Sequence, residues 1–353
     1  MKKFFNVKCL YLILLLISFS ILVYFCVDDN NLLTLIDNLS LLNSVWLIIA
    51  CGSMLIYWLI DAVIVKVLTN SVYEQKYTLK DAFKVTMVGQ FFNAVTPFCL
   101  ASQPMQILTM AQQKIDTGHA LSIVVRKFII YQTTLVCYLV ATMFFSYSFF
   151  ADKIPEFMNL AMVGCVSQSF VVLLIAFFTI KKNFTLKLID WGLNILSRFN
   201  LIKEPQEKMK FVEKQMDVYV ENSREIGENP KLTLKVFFLT CLQFTMMFSI
   251  SFFIYKAFNN PGFDVIDMIS GQAFVTTTAA YTPLPGGSGA VEGSFLMVFS
   301  LFFSYNSIKP AMLLWRFITY YSCIIFGIFF AVSIKKFHVR KRKFSISTWL
   351  KSP

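Results

Sequence analysis

Long apolar runs decide what this chain can fold into. Each is close to the roughly 20 residues that a membrane-spanning helix needs. Charged residues make up only 15% of the sequence, against roughly 25% in soluble domains. We therefore expect an all-α polytopic membrane protein with about six transmembrane helices, the first of them uncleaved because no A-x-A-like site follows it. The runs are Leu10–Val27, Leu41–Val65, Phe128–Phe150, 158–180, 236–258 and Ala311–Ile334.

Basic residues set the expected orientation. The chain carries a net charge of +12, which fits the gathering of Lys and Arg in cytoplasmic loops; affinity for anionic lipid is a compatible second interpretation. Because "MKKFFNVK" opens the chain and "KKFHVRKRK" follows the last run, we expect both termini in the cytoplasm of a bacterial cell and a location in its plasma membrane. No nucleic-acid partner is expected.

Two segments are too broken for straight spans. Residues 85–110, "VTMVGQFFNAVTPFCLASQPMQILTM", lie between basic stretches that both belong on the cytoplasmic side. Residues 266–304, with "YTPLPGGSGAVEGSF" at 281–295, must begin and end outside, and their prolines and glycines cannot continue a helix. The pattern predicts two re-entrant helical hairpins that enter from opposite faces.

The two halves of the chain have the same order of segments in opposite orientation. The first repeat covers about 41–150 and the second about 236–334, and both hairpins contain GQ-x-F, at Gly89 and Gly271. Inverted repeats with interrupted helices are typical of transporters, and the interruptions indicate the binding site. We expect an integral membrane domain over 1–340, with a cytoplasmic amphipathic segment at about 181–235, and a basic tail over 335–353.

The second hairpin offers a candidate headgroup site. A glycine-rich turn before a helix N-terminus can hold an anion, such as a lipid phosphate, or can simply make the turn. Glu292 and Arg316 are charges inside apolar sequence and should be partners. They form either a structural ion pair or contacts to a phosphate or cationic headgroup. The turn residues concerned are Pro285, Gly286, Gly287, Ser288 and Gly289.

The first hairpin offers polar side chains that could line a cavity. A second tier of charges lies near the expected ends of spans, where snorkelling to the interface is the ordinary explanation. No C-x-x-C pair occurs and the two histidines have no partners at metal spacing, so we predict no metal site, cofactor or catalytic residue. The polar set is Gln90, Asn93, Gln103 and Gln106, and the second tier is Asp61, Arg126 and Lys127.

"TPLPGGSGAVEGSF", "LLWRFITYY" and "GQFFNAVTPF" resemble signatures of the lysylphosphatidylglycerol synthase/flippase transmembrane family, the membrane region of the multiple peptide resistance factor. The resemblance implies movement of aminoacylated phosphatidylglycerol between leaflets and a role in cationic antimicrobial peptide resistance. It carries the second-half site over to Pro285, Gly286, Gly287, Gly289, Glu292 and Arg316, and the first-half site to Asn93, Pro97 and Pro104.

The chain departs from that family pattern in its first half. The expected Gly-Gly-acidic-Pro run reads "ASQPMQ", and an acidic–Arg pair is replaced by Arg126-Lys127. We expect no synthase domain in this chain, and hence a flippase-like translocase of an anionic or aminoacylated phospholipid. The alternatives are a phosphatidylglycerol lysyltransferase or its membrane subunit, and an exporter of a polyprenyl-linked precursor. Membrane phospholipids are the expected partners; a separate aminoacyl-lipid synthase and homo-oligomer formation stay open.

Overall fold

The predicted all-α architecture is confirmed by a computed structural model of the chain. The described residues are helical wherever they have regular structure, and they contain no strand. The apolar run Leu10–Val27 and the basic tail 335–353 lie outside the described residues. The structure describes residues 42–73, 76–99, 101–198, 205–227, 229–260, 262–278, 282 and 284–332.

The helices follow one another through short connections. Two 3-10 turns, Pro97–Cys99 and Pro285–Gly287, interrupt the series, and a π-helical stretch, Phe317–Tyr321, joins its last two helices. In chain order the helices are α1 (Ser44–Asn70), α2 (Leu79–Val95), α3 (Ser102–Gln112), α4 (Thr117–Lys153), α5 (Pro155–Ile180), α6 (Lys182–Arg198), α7 (Pro205–Gly227), α8 (Pro230–Ala257), α9 (Val265–Thr278), α10 (Ala290–Phe299), α11 (Tyr305–Arg316) and α12 (Ser322–Ala331).

Side-chain caps explain where several of these helices begin. The first N–H groups of a helix have no partner within it, and a preceding Asn, Asp or Thr can accept from them. This arrangement is present at α1, α2, α4 and α8, where each cap accepts a backbone N–H two or three residues further on. The caps are Asn43, Thr78, Asp116 and Asn229. The four helices therefore start where local sequence places a polar acceptor.

Four helices in the described part are long and apolar enough to cross a membrane. They are α1, α4, α8 and the continuous helix Tyr305–Ala331 formed by α11, the π-helical stretch and α12. A fifth is added if α5 and α6 are counted as one bent span, since Met162–Phe178 and Lys182–Ile195 meet at 94°. The chain is thus a multi-pass membrane protein. The total of six transmembrane helices remains a prediction.

In both interrupted segments the two helices on either side of the break pack against each other, and we call each such pair a hairpin. In the first, α2 and α3 pack against each other, so that a Cβ atom on Gly89 would lie 2.1 Å from Nε2 of Gln106. In the second, α9 and α10 do the same, and a Cβ atom on Gly271 would lie 2.8 Å from Cγ1 of Val298. The GQ-x-F glycines therefore lie at the contact between the arms of their own hairpins. That the hairpins enter a membrane from opposite faces remains a prediction.

The packing partners of the two halves correspond. The central contact joins α1 to α8, the helices that open the two halves. The first arm of the first hairpin, α2, packs on α12, and the first arm of the second hairpin, α9, packs on α4. Each hairpin is therefore held by the final long helix of the opposite half. The 3-10 turns of the two hairpins contact each other, which brings both interruptions to one place inside the protein.

Candidate functional site

A cavity with polar groups on a largely apolar wall lies where the two hairpins meet. Its volume is about 360 Å³, and its walls come from both hairpins, from helices α1, α4, α5, α8, α11 and α12, and from the π-helical stretch. Residues of both turns reach it, among them Phe98, Cys99 and Gly286. A cavity at the junction of two interrupted helices has free backbone polar groups and side-chain donors close together.

The two turns have matching backbones built from different residues. Each has a proline followed by two residues in the left-handed region: Phe98 (φ 53°) and Cys99 (φ 57°) in the first turn, Gly286 (φ 61°) and Gly287 (φ 68°) in the second. Glycine adopts this conformation without a Cβ clash, whereas an L side chain costs roughly 1–2 kcal/mol there. The first turn is therefore strained and the second relaxed.

Arg316 is a charged residue that lines the cavity and also bonds to the second turn. Its side chain is 5% exposed, its Nη2 atom lies 2.7 Å from Oε1 of Glu292, and its Nη1 atom donates to the Gly286 carbonyl oxygen at 3.1 Å. Its guanidinium carbon lies 5.3 Å from the ring centres of Trp315 and Tyr320. Its Nε–H is buried and has no hydrogen-bond partner among the described residues. Arg316 lines the cavity, and its guanidinium has donors that no described residue accepts from.

Glu292 lies behind Arg316 rather than on the cavity wall. It is the third residue of α10, and its Oε2 atom accepts the backbone N–H of Gly289 at 2.6 Å. One carboxylate therefore caps the helix that follows the turn and holds the guanidinium. A charge at a helix N-terminus is also favoured by the helix dipole.

Tyr320 connects the last long helix to the second turn and to the first arm of the first hairpin. Its ring packs so closely on Gly286 that a Cβ atom there would lie 2.1 Å from Cε2. Its hydroxyl donates to the carbonyl oxygen of Ala94, at the end of α2, at 3.2 Å. The absence of a side chain at Gly286 thus permits a contact that fixes the two hairpins relative to the arginine.

A second buried ion pair lies on the same cavity. Asp61, 3% exposed, accepts Lys127 Nζ at 2.7 Å, Thr86 Oγ1 at 2.8 Å and Gln243 Nε2 at 3.2 Å. These donors come from α4, α2 and α8, so the carboxylate ties three helices to α1. The sequence predicts that Asp61 and Lys127 snorkel to the interface from the ends of spans. The structure instead pairs them inside the protein, away from the interface.

Neutral amides and hydroxyls supply most of the remaining polar lining. Gln132 donates to Gln168 at 2.9 Å across α4 and α5. Gln90 donates to the Tyr57 hydroxyl at 3.4 Å. Asn93 and Gln103 carry no hydrogen bond within the part of the chain that the structure describes. Carboxamides can both donate and accept, so the wall suits a ligand that does the same.

Most sequence-predicted site residues come together here. The remaining candidates stand elsewhere: Pro97 is part of the first turn, Pro285, Gly287, Ser288 and Gly289 form the second turn without lining the cavity, and Glu292 supports Arg316 from behind. Arg126 points away, with its Nη2 atom 2.5 Å from Thr233 Oγ1. The predicted residues that line the cavity are Asp61, Gln90, Asn93, Gln103, Gln106, Lys127, Gly286 and Arg316.

Several lining residues were not predicted. Gln132 carried a signal in the sequence, because it interrupts the apolar run Phe128–Phe150 with an amide. The serine and threonine residues gave no such signal in the sequence. Their side chains are common in membrane helices, where they donate to the backbone of the preceding turn. The unpredicted polar lining residues are Tyr57, Ser102, Tyr131, Gln132, Gln168, Thr276, Thr277, Thr319 and Tyr320.

Comparison with known proteins agrees with this architecture. The family model described as the lysylphosphatidylglycerol synthase TM region matches residues 11–327. The chain belongs to that family. A UPF0104 membrane protein of Archaeoglobus fulgidus is 24% identical over 308 residues, which cover 86% of this chain and 89% of the relative. Membership in the lysylphosphatidylglycerol synthase TM-region family is consistent with a lipid-related function in a membrane.

Proposed function

We propose that this protein moves a phosphate-bearing lipid between the two leaflets of a membrane. The headgroup occupies the cavity between the hairpins while the acyl chains stay in the bilayer, and the phosphate binds at Arg316. The observation that carries the proposal is the contact of two interrupted hairpins beside a buried arginine that keeps an unpartnered Nε–H.

Physical chemistry supports a phosphate at this position. Arginine binds phosphate through charge-assisted hydrogen bonds, which are stronger than those between neutral groups. The guanidinium is already oriented by Glu292 and by the Gly286 carbonyl oxygen, so little side-chain freedom is lost on binding. The lipid is anionic or aminoacylated, as the family resemblance implies. If the lipid is aminoacylated, its movement between the leaflets contributes to resistance to cationic antimicrobial peptides.

Liposome transport tests the proposal. Purified protein is reconstituted with a fluorescent phospholipid, and loss of fluorescence to an added impermeant reductant measures lipid movement. We expect Arg316→Ala to lower the rate at least tenfold and Lys187→Ala, a change of an exposed cation on α6, to leave it unchanged. A wild-type rate equal to that of empty liposomes would overturn the proposal.

The alternative function, aminoacyl transfer from tRNA to a lipid, is tested by a separate measurement. Membranes that contain the full chain are incubated with lysyl-tRNA, and the lipids are extracted. If lysyl-lipid forms and depends on this chain, an aminoacyltransferase activity replaces translocation as the primary function. We expect no such product above that of membranes lacking the protein.

A further inference from the structure

The charges on the cavity are already balanced within the protein. Lys127 and Arg316 are its cations, and Asp61 is its carboxylate, with Glu292 directly behind. Each carboxylate is paired with one of the cations at 2.7 Å. No carboxylate among the described lining residues is left to receive a positively charged headgroup.

Both carboxylates are also occupied by further donors. Asp61 accepts hydrogen bonds from Thr86 and Gln243 in addition to its ion pair. Glu292 accepts the Gly289 N–H. An ammonium group that entered the cavity would meet two carboxylates that already accept several donors, whereas the paired Arg316 still has an Nε–H without a hydrogen-bond partner among the described residues. A buried charge without a partner is strongly unfavourable.

The neutral polar groups on the wall match an uncharged headgroup that both donates and accepts. Carboxamides and hydroxyls have this double capacity, as do the hydroxyls of a glycerol or a sugar, whereas an ammonium can only donate. Asn93 and Gln103, on the two arms of the first hairpin, have no hydrogen bond inside the described structure. The amides that the first hairpin contributes to the wall are Gln90, Asn93, Gln103 and Gln106.

We infer that the cavity selects a lipid whose phosphate carries an uncharged, hydroxyl-rich headgroup over one whose headgroup carries ammonium groups. The inference rests on the proposed function and narrows it. The phosphate binds at the guanidinium of Arg316, and the hydroxyls bind the amides of the first hairpin. The chemistry is common to a glycerol or inositol phospholipid and to a sugar joined to a prenyl phosphate.

Lipid binding to the purified full chain tests the selection. Native mass spectrometry and thermal unfolding in detergent are used with five lipids: phosphatidylglycerol, phosphatidylinositol, a glucosyl prenyl phosphate, lysyl-phosphatidylglycerol and phosphatidic acid. The first and fourth differ only by the lysyl ester. We expect phosphatidylglycerol to bind at least tenfold more tightly than the lysyl form, and the relative strength of the glycerol, inositol and glucosyl lipids identifies the source.

A paired variant assigns the preference to the first hairpin. Asn93→Leu with Gln103→Leu removes two amides that are partly exposed to the cavity, and thermal unfolding without lipid reports whether the variant folds. The variant is expected to lose at least tenfold in affinity for phosphatidylglycerol while phosphatidic acid, which presents the phosphate alone, binds as to the wild type. If the paired variant fails to fold, Asn93→Ala alone replaces it.

The failures can be told apart. Equal or tighter binding of lysyl-phosphatidylglycerol overturns the inference and leaves the proposed function standing. Unaltered phosphatidylglycerol affinity in the folded variant overturns the role of the amides. Binding of none of the five lipids overturns the proposed function and the inference together.

Discussion

The guanidinium of Arg316 and the carboxylate of Glu292 lie 2.7 Å apart at a place where neither side chain is more than 5% exposed. Breaking a buried pair from one side leaves an uncompensated charge and costs about 3–5 kcal/mol. We expect Arg316→Met to lower the thermal unfolding midpoint in detergent markedly. A midpoint equal to that of the wild type would show that Glu292 does not depend on this partner.

The same pair allows stability and transport to be separated. Replacing both partners by apolar residues is often neutral or stabilising, because no unpaired charge remains. Glu292→Met with Arg316→Met is therefore expected to recover most of the lost thermal stability while lipid movement stays at least tenfold below wild type. Recovery of transport in the double variant would contradict a role for the guanidinium in binding.

The Asp61–Lys127 pair should respond unequally to loss of either partner. Lys127→Met leaves a carboxylate, 4% exposed in its side chain, with only the neutral donors Thr86 and Gln243. Asp61→Asn leaves an ammonium whose side chain is 12% exposed and flexible, and the amide oxygen of the new Asn can still accept its hydrogen bond. We expect Lys127→Met to lower the unfolding midpoint more. A lower unfolding midpoint for Asp61→Asn than for Lys127→Met would show that the ammonium of Lys127 depends on the ion pair more than the carboxylate of Asp61 does.

Backbone strain in the first turn can be tested by comparing how substitutions in the two turns change the stability of the protein. Cys99 (φ 57°) has a Cβ atom in the left-handed region, and Gly287 (φ 68°) does not. Cys99→Gly is expected to stabilise the protein, and Gly287→Ala to destabilise it, each by about 1–2 kcal/mol. Cys99→Ala is the control for loss of the thiol and should change stability little. Destabilisation by Cys99→Gly would mean that its side chain matters more than its backbone.

Sequence alone predicts the positions of both hairpins and one of the ion pairs. Basic residues on both sides of residues 85–110 argue against a single crossing, and the prolines and glycines of 281–295 argue against a continuous helix. Glu292 and Arg316 could be paired because few charges occur in the apolar sequence of the second half. These features are local or follow from the membrane itself, so they need no knowledge of packing.

Tertiary packing decides what the sequence left open. Asp61 finds Lys127, Thr86 and Gln243 only because α1 packs against α4, α2 and α8. Its depth cannot be read from its position near the end of an apolar run, where snorkelling is equally consistent with the pattern. The left-handed Phe98 was likewise unpredictable, because such residues rarely adopt that conformation unless surrounding contacts impose it.

Helix α6 presents an apolar stripe that should lie in the membrane interface. Phe184, Leu188 and Trp191 are 50%, 44% and 63% exposed, and their i, i+4, i+7 spacing places them on one face. Because α6 turns by 94° from α5, a spanning α5 would leave α6 along the bilayer surface, as amphipathic helices lie.

In nanodiscs, brominated lipids should quench more fluorescence in the wild type than in Trp191→Phe, and the difference gives the quenching of Trp191. Asp190, exposed on the same helix, gives the matched control, because Asp190→Ala should not alter that difference. If aqueous iodide rather than brominated lipid quenches Trp191, the stripe faces water and α6 does not rest on the membrane.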